Sequence, residues 1–122
     1  KRGEDVAEDR IPKELMSLFH PSVQPYLRSY LTTDPAELIA KVECPTLIIS
    51  GGRDIQVSVD NAERLFSSSK GAEHISFADM SHVLKDATTD DRIEQMLSVY
   101  TNSQLPLTEG LADAIVEFLK SL

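Results

Sequence analysis

The sequence predicts an α/β fold: a parallel βαβ unit with flanking helices. Three observations carry that prediction. Thr46-Leu47-Ile48-Ile49 is a continuous apolar and β-branched run without polar alternation, the pattern of a parallel strand covered on both faces. Ser58 opens a stretch in which Val59, Ala62, Leu65 and Phe66 share one helical face. Residues 74–78 then read as a second short strand, with Ile75 and Phe77 inward on a period of two. Strand, helix and strand in that order make a right-handed crossover with the two strands parallel.

Taken in order, residues 1–10 are mostly charged and read as a solvated, mobile lead-in to a domain spanning 11–122. A short helix is expected over 12–19, closed by Pro21, with His20 as a boundary or capping histidine. Ser22 is expected to cap a second helix. There Val23, Tyr26, Leu27, Tyr30 and Leu31 form an apolar face suited to core packing, and Pro25 is tolerated in the first turn. Asp34-Pro35-Ala36-Glu37 is a strong helix start, and that helix is expected to run through Leu38, Ile39 and Val42.

Pro45 stands at the entrance of the first strand, because inside a ladder it would delete a donor. Gly51-Gly52 ends the strand where a side chain at positive φ would clash, and Asp54 follows at its carboxyl end. Ser67-Ser68-Ser69 is a polar helix end, with Gly71 as its terminator. Over 88–100, Ile93, Met96, Leu97 and Tyr100 have helical spacing and predict a short helix. Thr108 is expected to cap the last helix, whose face is Leu111, Ile115, Phe118, Leu119 and Leu122; Gly110 weakens its first turn.

At 122 residues the chain is one domain's worth, long enough for a real core. A formal net charge of −8 argues against a phosphate backbone as partner, so no nucleic acid is expected. No apolar run approaches the roughly 20 residues of a membrane span. Cys44 has no partner cysteine and reads as a small buried hydrophobe. His20, His74 and His82 lack metal-ligand spacing, and Gly51-Gly52 is too short for a phosphate loop, so neither metal nor cofactor is expected. The chain opens on Lys1 and reads as an excised piece of a longer protein.

Chemistry is expected from Asp54 and His82, which follow the two parallel strands and so share one edge. A carboxylate on one imidazole nitrogen fixes the tautomer and steadies the cation. The other nitrogen is then a general base, with an unperturbed pKa of about 6.5. Asp79, three residues before His82, is the alternative acid, although its closeness suits it better to stiffening the loop. Ser81 adjoins His82 but reads as a loop residue.

The run 42–54, the Ser58 helix and Asp79-Met80-Ser81-His82-Val83-Leu84-Lys85 together resemble the C-terminal part of an α/β-hydrolase. The likeness is strongest to bacterial esterase-like and serine-aminopeptidase-like members. The helices over 23–30 and from Asp34 resemble the segment that precedes the acid-bearing strand in such enzymes. The resemblance implies Asp54 as triad acid and His82 as triad base of a serine hydrolase acting on a small acyl ester or amide, with the cytoplasm as expected compartment. One departure is large: no Gly-x-Ser-x-Gly elbow occurs, and Ser50, Ser58 and Ser81 lack its strand-turn-helix setting. The nucleophile-bearing half is therefore expected elsewhere in the parent protein, as a partner for this piece, which alone should be inert. Its two-stranded sheet would leave an apolar edge open to self-association. The alternative is a non-catalytic hydrolase-like module for binding or assembly.

Overall fold

The computed structural model describes residues 4–122; the first three residues of the lead-in lie outside it. Helices α1 (Met16–Phe19), α2 (Gln24–Thr32) and α3 (Pro35–Ile39) precede strand β1 (Leu47–Gly51). Helix α4 (Val59–Ser68) and strand β2 (Glu73–Phe77) follow, then α5 (Arg92–Gln95) and α6 (Leu111–Lys120). The strands pair in parallel, Leu47 opposite Glu73 and Gly51 opposite Phe77, with α4 as the crossover. This is the α/β arrangement the apolar runs predict. Ile48 and Ala62 are buried where α4 meets β1, and Met80, Ala87, Val99 and Leu111 extend the core beyond the carboxyl ends of the strands.

Local signals explain much of the helical part. Asp34 accepts the Ala36 N–H at 3.0 Å, Pro35 takes the first helical position, and α3 starts there as read. It stops at Ile39, short of Val42. The serine-rich end of α4 does cap it: the Ser69 N–H bonds the Leu65 and Phe66 carbonyls, so the terminator is Ser69 and not Gly71.

Several expectations are corrected. Ser22 does not cap α2; it lies in a 3₁₀ turn (Pro21–Val23) whose cap is the His20 imidazole, 3.2 Å from the Ser22 nitrogen. The apolar face of α2 is not core. Tyr26, Tyr30 and Leu31 are exposed, and the two tyrosine rings stack on each other at 6.4 Å. Residues 4–10 are solvated as expected, yet they carry a 3₁₀ turn (Glu8–Arg10). Gln24 clasps the Val6 N–H and C=O, each at 2.7 Å. Cys44 is exposed, because it lies in the turn ahead of β1 and not in the strand.

The glycines after β1 act differently from the sequence reading. Neither has positive φ. A Cβ on Gly51 would sit 2.2 Å from the Met80 carbonyl oxygen, and one on Gly52 2.3 Å from that of Ala78. Close backbone approach, not turn geometry, is what excludes a side chain there. Gly110 does need its freedom: at φ 79° it is the N-cap of α6, a role assigned above to Thr108. Thr108 is instead buried, its hydroxyl donating to Asp86 at 2.7 Å.

The 88–100 helix forms with its faces exchanged. Asp91 caps α5, which runs on into a π-helical turn (Met96–Tyr100). Gln95 and Val99 are the buried residues, whereas Ile93, Met96 and Leu97 are exposed. Gln95 Nε2 supplies two backbone carbonyls, Arg53 at 3.0 Å and Thr89 at 2.9 Å. These two bonds hold the Gln95 side chain inward, and the register follows them and not the apolar periodicity.

Candidate active site

Asp54 sits three residues beyond β1 in the turn leading to α4. Its Oδ1 accepts the backbone N–H of Gln56 at 2.8 Å and of Val57 at 2.9 Å. This Asx-type arrangement stiffens the turn and points Oδ2 outward. His82 sits in the loop after β2. Its Nδ1 lies 2.9 Å from Asp54 Oδ2.

The His82 loop is built to hold that position. Met80 and Ser81 are almost fully buried. The Arg53 N–H donates to the Met80 carbonyl at 3.1 Å, tying the loop to the end of β1. The Ser81 N–H and hydroxyl both donate to the Lys85 carbonyl, at 2.9 and 2.7 Å, closing a tight bend. Leu84 completes it at φ 62°, the left-handed region that L-residues enter only under constraint.

The charge state of Asp54 follows from two opposed effects. Burial pushes its pKa up. The hydrogen bonds from the Val57 N–H, His82 and the Gln56 N–H outweigh it and hold the carboxyl below its ordinary value. The carboxylate is thus an acceptor at neutral pH, so the contact calls for a proton on His82 Nδ1, and the neutral imidazole that meets this demand holds its lone pair on Nε2. Exposure is divided to match: the Asp54 side chain is 13% exposed and that of His82 41%. Beside them is a cleft of about 290 Å³ between β1, α4 and the His82 loop, walled by Ile49, Val57, Leu65 and Leu84.

The other sequence candidates are occupied elsewhere. Asp79 accepts from Arg53 Nε at 2.9 Å, and Asp90 from Arg53 Nη1 at 3.0 Å. Pairing with Asp79 and then Asp90 raises the Arg53 pKa and keeps it cationic. Asp79 therefore anchors the loop through Arg53, and it is Asp54 that meets His82. The Ser81 hydroxyl is committed to Lys85. Ser50 Oγ lies 2.9 Å from His74 Nε2, a half-buried pair across the two strands. The Ser58 hydroxyl accepts from Asn61 Nδ2 at 3.0 Å. None of the three has the exposed, strand-to-helix setting of an activated nucleophile.

Sequence reasoning missed three residues that shape the site: Arg53, Arg92 and Gln95. Arg53 was legible as a neighbour of Asp54. Arg92 donates to the Ile55 carbonyl at 3.0 Å and Gln95 to that of Arg53, contacts between segments far apart in the chain that no local pattern marks. Among the described residues, no cluster of three His, Cys, Asp or Glu side chains could hold a metal ion. Compared with protein-family models, with curated proteins and with solved structures, the chain matches none.

Proposed function

We propose that Asp54 and His82 are the acid and base of a serine-hydrolase site of the α/β-hydrolase kind, completed by a nucleophile from outside these 122 residues. The observation that carries this is the 2.9 Å contact of His82 Nδ1 with Asp54 Oδ2 beyond the carboxyl ends of two adjacent parallel strands. Among the described residues His82 Nε2 has no protein partner, so it is available to a hydroxyl.

The chemistry follows from the tautomer. Nε2 takes the proton of an approaching serine hydroxyl as its oxygen attacks an acyl carbon. The resulting imidazolium is steadied by Asp54 and then gives the proton to the leaving alcohol or amine. Water repeats the cycle on the acyl-enzyme. The substrate class, a small ester or amide, rests on the resemblance and not on pocket residues.

The state of the sheet supports the need for a second part. The Thr46 carbonyl and the Gly52 N–H bond the ends of β2. By the alternation of a parallel ladder, Leu47 and Ile49 then direct their N–H and C=O groups to the opposite, open edge. No β2 residue lines the cleft beside His82, which suits a neighbouring strand on that side of β1. The N-terminal half of the same protein is the proposed occupant.

A second reading has its own support, namely the many exposed large apolar side chains, which also suit a non-catalytic module for binding or self-assembly. A fluorophosphonate probe applied to the full-length gene product separates the two. Labelling that is lost in His82→Ala is the expected result. No labelling of the intact protein would leave the binding module as the better reading.

A further inference from the structure

Asp54 lies in an irregular turn, where backbone position is not guaranteed by a ladder. Its own N–H makes only a long bond, 3.3 Å to the Gly51 carbonyl. The carbonyls on either side of it, however, are both held by one distant helix. Gln95 Nε2 donates to the Arg53 carbonyl at 3.0 Å and Arg92 Nη2 to the Ile55 carbonyl at 3.0 Å. A third tie joins Gln56 Nε2 to the Tyr100 hydroxyl at 3.1 Å, on the π-helical turn that continues the same helix.

Gln95 is the informative member. It is fully buried, and its Oε1 has no hydrogen-bond partner. An orphaned buried acceptor is destabilising, and a methionine of similar shape would carry none. What the amide adds is the pair of bonds from Nε2, to the Arg53 and Thr89 carbonyls. The exposed apolar face of the helix has the same explanation: presenting Gln95 to the turn puts Ile93 and Leu97 in solvent.

We propose that Gln95 and Arg92 are positioning residues for the Asp54–His82 pair, clamping the carbonyls that flank Asp54 so that Oδ2 stays in line with His82 Nδ1. The proposal rests on reading that pair as an acid–base unit. Its physical basis is the narrow tolerance of a hydrogen bond: a shift of about 0.5 Å in the turn carries a 2.9 Å contact to the limit of bonding. Asp54 already spends Oδ1 on the Gln56 and Val57 N–H groups, so turn and carboxylate move together.

The test is an NMR measurement on the 122-residue chain, reading the imidazole nitrogen shifts of His82 near neutral pH. These report the share of the tautomer protonated on Nδ1, which a structural role for the helix would not by itself change. Asp54→Asn sets the reference for a lost carboxylate. Gln95→Met and Arg92→Gln are each expected to move His82 toward that reference, lowering the Nδ1-protonated share by about half, with the amide signals of β1 and β2 in place. Ile93→Ala, on the exposed face of the same helix, should leave it unchanged. Arg92→Gln removes an exposed side chain, so it carries the test if Gln95→Met fails to fold. Folded variants with the wild-type tautomer overturn the clamp. A wild-type tautomer in Asp54→Asn would instead overturn the acid–base reading itself.

Discussion

At the scale of single residues, Asp54 divides its two oxygens between turn and site. Oδ1 binds the turn that carries it and Oδ2 meets His82. Because the net effect lowers its pKa in the fold, the stability it contributes is present above the unfolded value, about 3.9, and is lost as pH falls through the lower folded value. Asp54→Ala should cost about 2–3 kcal/mol at pH 7, largely because the Gln56 and Val57 N–H groups lose their acceptor, and the part of the gap that comes from the lowered pKa should fade as pH falls below about 4. Urea unfolding across pH measures both, and a gap independent of pH would contradict the account. Gly51 makes a second prediction. An alanine Cβ there would lie 2.2 Å from the Met80 carbonyl oxygen and 2.8 Å from its carbon, both backbone atoms. Gly51→Ala should cost about 2 kcal/mol or more and weaken the His82 signal of an Asp54 contact, because the His82 loop must move to make room. An alanine variant that melts with the wild type would show that the approach is looser than described.

At the scale of elements, strands and helices were legible where local chemistry decides them. The apolar run of β1, the Asp34-Pro35 start of α3 and the Ser58 start of α4 all stand where the sequence puts them. The reversed face of the 92–100 helix was not legible, because apolar spacing reports what could be buried and not what a neighbouring turn requires. Val99 is 4% exposed and Leu97 71%. Val99→Ala should therefore cost about 1–2 kcal/mol, and Leu97→Ala, although it deletes the larger side chain, less than about 0.5 kcal/mol. Chemical denaturation of the two variants decides it; the opposite order would restore the face read from the sequence. Tyr26 and Tyr30 teach the same lesson on α2. Their spacing is that of a core face, yet the described chain places nothing over them.

At the scale of the molecule, exposed large apolar side chains outnumber buried apolar residues among those described, and the only sheet among the same residues has two strands. Two strands alone make a marginal sheet, and an apolar open edge pairs readily. The chain should therefore associate as its concentration rises, despite its net charge of −8. Sedimentation velocity over a concentration series tests this, and a monomer at every concentration would count against the open edge as a docking surface. No helix among the described residues is long and apolar enough to cross a membrane.

The sequence by itself determined the order of elements, the parallel pairing of the strands and the candidate status of Asp54 and His82. Each of these rests on nearest neighbours in the chain: side-chain shape, capping and the hand of a crossover. Only the tertiary structure decided that Asp54 and not Asp79 meets the imidazole, that Gly51 and Gly52 serve close approach, and that Gln95 turns inward. Those outcomes depend on which buried carbonyls, guanidinium and carboxylates come within about 3 Å of one another, and hydrogen-bond distance between remote segments leaves no periodic trace along a chain.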